Sequence, residues 1–294
     1  MKFAAIDVGS NAVRLLLSRV IEDGRDPIIK KESLVRMPIR LGEDAFIRHR
    51  ICQARIEQLI DTMVAFKFLI KAYQPLDFMA CATSAMREAE NRFQIREIIN
   101  KHSDINLEIV DGRREAEIIY ANRIEQMLEP RAAYLYIDVG GGSTELTLLQ
   151  RGRSLASRSF DIGTIRLLKG LVSDKTWDGM KKWLKRQTRG LDPIFAIGSG
   201  GNINKIFRLS GRNDRKKLSY GKIDSIYRGL LKYSWEERIR ALGLRPDRAD
   251  VIVPAAEIYL SVLKWAGIKA MHVPQIGLPD GMVRILYDKY RNRR

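Results

Sequence analysis

Cysteine is nearly missing from this 294-residue sequence. Its two cysteines, Cys52 and Cys81, can build neither a disulfide framework nor a thiolate metal centre. Both read as small buried hydrophobes. Histidine is as scarce: His49, His102 and His272 stand apart with no metal-ligand spacing and read as structural. No apolar run approaches the roughly 20 residues of a membrane helix. The opening MKFAAIDVGS meets an aspartate and a glycine too early for a secretory signal. The expectation is a cytoplasmic chain with no membrane partner. No zinc spacing, RNA-binding signature or basic zipper is present, so no sequence-specific nucleic-acid partner is expected. No long Pro/Ser linker divides the chain, so a domain boundary would be a hinge rather than a tether.

Acidic residues are outnumbered. Fifty-two Lys and Arg against 35 Asp and Glu leave a net charge of +17. Such a surplus attracts polyanions, and it also serves solubility. Much of it lies in runs that read as solvated surface: Lys181, Lys182, Lys185 and Arg186; Arg212, Arg215, Lys216 and Lys217; and the tail Lys289, Arg291, Arg293 and Arg294. An apolar fraction of 45% over this length suffices for about two packed domains.

The chain repeats itself. KFAAID, AVRLLLSRV and PIIKKESLVRM read as three strands, the first two joined by GSN. Residues 51–73 follow a helical period, with Ile56, Leu59, Ile60, Met63, Phe66 and Ile70 on one face. DFMACATS reads as a buried strand, with helices over 85–91 and 93–101. LEIV is a strand, and EAEIIYANRIEQML a helix capped by Asp111-Gly112. Then the pattern restarts: AAYLYID, GGGST, ELTLLQRG, RSLASRSFDIG. AAIDVGSNAVRLLL and YIDVGGGSTELTLL are two versions of one unit, and their aspartates Asp7 and Asp138 lie nearly half the chain apart. The repeat predicts two similar domains, 1–122 and 123–279, and a last helix at about 280–294 is allowed to return to the first. Each is expected to hold a mixed five-stranded sheet. Helices are expected over 175–188, 203–209, 221–232, 234–242 and 247–265.

Glycine marks the chemistry. Gly140, Gly141 and Gly142 stand between Asp138 and the run Ser143, Thr144, Glu145; Gly9, Ser10 and Asn11 follow Asp7. Turns of bare backbone form anion-binding concavities that a ligand can approach closely. Ser10, Ser143 and Thr144 add hydroxyl donors. IGSGGN supplies a third turn with Gly200 and Gly201. Asp7 and Asp138 repel phosphate directly, but they suit a divalent cation such as Mg²⁺ lying between carboxylate and phosphate. One Asp-x-Gly turn would be an ordinary hairpin; two in matching context, with a third, favour phosphate binding.

At this level the sequence resembles the exopolyphosphatase/guanosine pentaphosphate phosphohydrolase family over nearly its whole length. IDVGSN with Arg14, RLGEDAF, ATSAMREAEN, VDGRREAEIIY, IDVGGGSTEL, DIGTIRL, AIGSGGNINKI, EERIRALGLRPDRADVIVPAAEIY and GLPDGMV carry the likeness. It implies two actin-like (ribonuclease H-like) α/β domains of the sugar kinase/heat-shock ATPase/actin superfold, with a cleft between them. It implies hydrolysis of a terminal phosphoanhydride: inorganic polyphosphate is the first substrate, guanosine pentaphosphate the alternative. Under the resemblance Glu115 activates the attacking water, and Arg87 binds phosphate with its planar fork. Gly9, Ser10, Asn11, Gly140, Gly141, Gly142, Ser143, Thr144, Gly200 and Gly201 line phosphate sites; Arg14 and Arg166 are weaker candidates. Asp7 and Asp138, with Glu145 as a third candidate, hold Mg²⁺ or another divalent cation. A homodimer is allowed for. Without the resemblance, the preferred reading of Glu115 is a helix N-terminal acid favoured by the macrodipole. Three departures from the family pattern put substrate choice in question. Arg114 and Glu117 exchange the usual order of charge, Ala12 replaces a hydroxyl residue, and Pro279-Asp280 stands where Arg-Glu is frequent. An actin-like ATPase or sugar kinase, and a catalytically weak polyanion-binding regulator, are the rival readings.

Overall fold

The structure is a computed structural model describing residues 1–24, 27–123, 129, 131–151, 153–211 and 217–293. Arg212, Arg215, Lys216 and Arg294, and the end of the helix expected to reach 128, lie outside the described residues. The chain divides into two compact units, Met1–Asn122 with Leu278–Arg294, and Arg123–Gly277.

The first unit opens with β1 (Lys2–Val8), β2 (Val13–Ile21) and β3 (Ile28–Met37). Helices α1 (Leu41–Arg48) and α2 (Gln53–Tyr73) follow. The unit continues through β4 (Asp77–Ala82), α3 (Ser84–Glu88), α4 (Arg92–Ser103), β5 (Glu108–Ile109) and α5 (Gly112–Tyr120). Its sheet runs β3-β2-β1-β4-β5. The apolar run of β1 is buried almost throughout, as a central strand covered on both faces requires. The outer strand β3 is largely exposed and carries Lys30, Lys31 and Glu32, charges that discourage edge pairing. β4 lies parallel to β1, and β5 parallel to β4. Val8, Ala82 and Ile109 therefore end their strands at one sheet edge. α2 buries Ile56, Leu59, Met63, Phe66 and Ile70, the face that its period predicts.

The second unit repeats the opening with β6 (Ala133–Val139), β7 (Thr144–Gln150) and β8 (Arg153–Phe160). It continues through α6 (Thr164–Leu168), α7 (Asp174–Gln187), β9 (Ile194–Ser199) and α8 (Gly201–Leu209). Next come β10 (Lys217–Ser219), α9 (Tyr220–Leu231), α10 (Trp235–Arg240) and α11 (Pro246–Ala249). α12 (Ile252–Ala266) and β11 (Ala270–His272) close the unit. The sheet order is β10-β11-β9-β6-β7-β8, six strands where five were expected. The sixth, β10, is three residues long and pairs antiparallel with β11; it is too short to show an alternation. Two short helices, α1 and α6, also went unread. α1 has no capping side chain, and its cap residue Arg40 sits at φ 60°. Local signals for its start are therefore missing.

The last helix, α13 (Leu278–Arg291), belongs to the first unit, where it packs on β1 and α5. Gly281 lies so close to α5 that a methyl group there would fall 1.8 Å from the Ile118 carbonyl oxygen. Asp280, one of the departures noted above, pairs with Lys31 of β3 at 2.8 Å. Arg114 and Glu117, another departure, face each other one helical turn apart at 3.3 Å. The exchanged charges thus form an exposed surface pair, the kind worth about 0–1 kcal/mol. Among the described residues no helix is long and apolar enough to cross a membrane.

Candidate active site

In the first unit the strand ends bring the candidate residues to one edge of the sheet. Asp7 stands one residue before the end of β1, 3% exposed, and its Oδ2 accepts from Arg14 Nη1 at 2.7 Å. The two are cross-strand partners. Burial raises the Asp7 pKa above the usual carboxylate value, and the Arg14 charge and hydrogen bond oppose that rise. The turn after β1 closes through Gly9 N–H, which donates to Ala12 carbonyl at 3.2 Å. The Ser10 hydroxyl shares a 2.8 Å hydrogen bond with that of Ser84, at the start of α3. The carbonyls of Ser10 and Asn11 accept from Gly42 N–H at 2.9 Å and Arg40 N–H at 3.2 Å. Ala12 is buried.

Arg87 leaves α3 and reaches the segment after β5. Its Nη1 donates to the Val110 carbonyl at 2.9 Å and lies 3.5 Å from Glu115 Oε2. Glu115, in the first turn of α5, is 8% exposed, low for a glutamate that merely decorates a helix start. Asp111 caps this helix through Arg114 N–H at 2.7 Å, so the cap is filled without Glu115. Cys81, opposite Asp7 in the register, is buried, and its pKa is pushed up to about 12 by that burial and by nearby carboxylates. It is an inert thiol, as the sequence suggested.

The second unit builds a comparable turn on β6 and β7. Gly140 N–H donates to Ser143 carbonyl at 2.9 Å. The carbonyls of Gly140 and Gly141 accept from Thr164 N–H at 3.0 Å and Ile165 N–H at 2.8 Å, and Gly142 carbonyl accepts from Arg166 Nε at 2.8 Å. Among the described residues the N–H groups of Gly141, Gly142 and Ser143 meet no acceptor. Thr144 donates its hydroxyl to Ile162 carbonyl at 2.5 Å, so it supports the turn from behind. Glu145 is 3% exposed, and its Oε1 accepts the hydroxyls of Ser143 at 2.6 Å and Ser159 at 2.9 Å. Ser159 was not foreseen; its signal was its place opposite Glu145 across the β7–β8 pair.

Asp138 pairs in register with Glu145 on one side and Ser199 on the other. β9 runs parallel to β6, so Asp138, Ser199 and the Gly200-Gly201 turn share one sheet edge. Gly200 has φ 93°, and a Cβ there would fall 2.9 Å from Asp138 Oδ1. Only glycine meets both demands, and the bare backbone leaves space beside the carboxylate for a ligand. Gly201 carbonyl accepts from Arg248 Nη1. Tyr259, also unforeseen, donates to Ser199 carbonyl at 2.7 Å from the buried face of α12. Among the described residues no three His, Cys, Asp or Glu side chains gather as a metal cage. Mg²⁺ needs no such cage, because it binds through one or two carboxylates and substrate phosphates. Asp138 beside Gly200 and the Oδ1 of Asp7, near Gly9, fit that use.

Relatives of known sequence and structure share this architecture. Exopolyphosphatase 1 of Mycobacterium bovis is 22% identical over 303 residues, covering 96% of this chain and 87% of that protein. Guanosine-5'-triphosphate,3'-diphosphate pyrophosphatase of Aliivibrio fischeri is 22% identical, but this chain, 99% covered, spans 60% of its length. The crystal structure of an exopolyphosphatase from Cytophaga hutchinsonii, 23% identical, covers 98% of each chain with a TM-score of 0.84, which shows the actin-like two-domain α/β fold. The family described as the Ppx/GppA phosphatase family matches residues 27–290. With that match spanning most of its length, the chain belongs to the Ppx/GppA phosphatase family.

Proposed function

We propose that this chain hydrolyses the terminal phosphoanhydride of inorganic polyphosphate and releases orthophosphate. The observation that carries the reading is the doubled glycine turn, each behind a strand-end aspartate at the carboxyl edge of its sheet. In the second unit three successive N–H groups meet no acceptor among the described residues. Such groups suit phosphate oxygens, and phosphoryl transfer depends mostly on positioning and charge neutralisation. The relatives named as exopolyphosphatases support the reading.

In this reading Gly9, Ser10, Asn11 and Arg14 in the first unit, and Gly140, Gly141, Gly142, Ser143, Gly200 and Gly201 in the second, bind phosphate. Arg87 neutralises charge and orients Glu115, whose carboxylate takes the proton of the attacking water. A divalent cation such as Mg²⁺, bound through Asp7 in the first unit or through Asp138, with Glu145 beside it in register, in the second, would neutralise charge between carboxylate and phosphate. The Aliivibrio relative favours a second substrate, guanosine pentaphosphate, by the same chemistry. The test is phosphate release from short polyphosphate, long polyphosphate and guanosine pentaphosphate measured side by side with Mg²⁺. Turnover of polyphosphate above that of the nucleotide is expected. Release from the nucleotide alone would move the assignment to the second substrate, and release from none would return the chain to the non-catalytic polyanion binders.

A further inference from the structure

The segment after the third strand of each unit has no chemical role in the proposal above. In the second unit it is DIGTIR, ending in the first turn of α6. A carbonyl and the N–H of the following residue share one peptide plane and point to opposite sides. Thr164, Ile165 and Arg166 draw the carbonyls of Gly140, Gly141 and Gly142 toward α6. The N–H groups of Gly141, Gly142 and Ser143 must then point the other way. The contact is close because Gly163 has no side chain: a Cβ there would lie 2.4 Å from backbone atoms of Gly141 and Gly142. Gly163 has φ −133° and ψ 164°, an extended backbone that any residue adopts. Space alone therefore demands glycine. The first unit repeats the device: Gly42 and Arg40, at the start of α1, hold the carbonyls of Ser10 and Asn11.

We infer that Gly163 and the start of α6 are positioning elements that aim the N–H groups of the Gly140–Gly142 turn at phosphate. Gly163 touches no substrate in this assignment; it acts through the turn. The inference rests on the phosphate-binding reading of that turn, and the experiment separates the two.

Amide shifts of Gly141, Gly142 and Ser143 are followed by nuclear magnetic resonance during titration with imidodiphosphate, a P–N–P analogue that resists hydrolysis. Wild-type protein, Gly163→Ala and Arg166→Lys are compared with Mg²⁺ present, and melting temperatures check the fold. In the wild type all three amides should move. In Gly163→Ala the Kd should rise by about tenfold or more, the loss expected when a charge-assisted hydrogen bond is misaimed. If the wild-type amides respond and Gly163→Ala binds with unchanged Kd, the positioning role is overturned while the phosphate turn stands. If analogue binds and the wild-type amides stay still, the phosphate reading of the turn falls and the inference with it. Should Gly163→Ala fail to fold, Arg166→Lys decides. It keeps the charge but loses the planar donor to Gly142 carbonyl. An unmoved Ser143 amide and an unchanged Kd in that variant would overturn the inference.

Discussion

At the scale of single residues, burial separates candidates that look alike in sequence. Glu115 and Glu117 stand two residues apart on α5 and so point to different sides: Glu115 is buried beside Arg87, while Glu117 pairs with Arg114 in solvent. Glu115→Gln keeps the shape but cannot accept the water's proton. Turnover should fall by roughly 10²–10⁴ with KM little changed. Steady-state phosphate release checks this, and near-normal turnover would leave Glu115 as packing. Asp7 gives a prediction in pH. Burial lifts its pKa, and Arg14 holds the rise back. Arg14→Gln removes the restraint, so the Asp7 carboxyl should hold its proton to higher pH. If activity needs the carboxylate, the acid limb of the pH–rate profile must move upward. A limb that stays in place would take Asp7 out of the reaction.

At the scale of elements, helix starts and close approaches hold the site in place. α13 lies against α5 because Gly281 lets backbone meet backbone at Ile118. Gly281→Ala forces the two helices apart, and overpacking of this kind costs roughly 1–3 kcal/mol. A fall of several degrees in melting temperature is expected, together with lower turnover, because α5 carries Glu115. An unchanged melting temperature would mean that the contact relaxes at no cost. The Asp280–Lys31 pair fastens the same helix to the edge strand β3, so this departure from the family pattern reads as local anchoring.

At the scale of the whole molecule, charge and the repeat make the predictions. A net charge of +17 should draw long polyphosphate toward the chain. Screening acts over about 8 Å at physiological ionic strength, so the apparent affinity should weaken steeply with salt. A flat salt response would assign the surplus to surface that the substrate never meets. Each unit also supplies one strand-end aspartate. Asp7→Asn and Asp138→Asn should each lower activity sharply while the fold persists. Added Mg²⁺ should restore part of it, since mass action offsets weaker binding. Melting temperature and the Mg²⁺ dependence of phosphate release check both variants. Full activity with unchanged Mg²⁺ dependence would remove the aspartates from metal binding.

What the sequence determined by itself is local or repeated. Strands meeting at bare glycines after Asp7 and Asp138 were legible because each motif lies within a dozen residues and occurs twice. The face of α2 was legible because its period is short. The Arg114–Glu117 exchange could be read as a surface pair because residues three apart on a helix are neighbours. Only the tertiary structure decided the rest. α1 and α6 are short, and their leading N–H groups are satisfied by turn carbonyls far away in the chain. β10 is a strand because β11 lies beside it. The hydroxyl of Thr144 looks like a phosphate donor until Ile162 carbonyl is placed behind it. Gly163 and Gly281 look like any glycine until a distant backbone is brought within a methyl's width. Hydrogen bonds and steric limits of this sort join residues remote in sequence, and no window of composition or periodicity contains both partners.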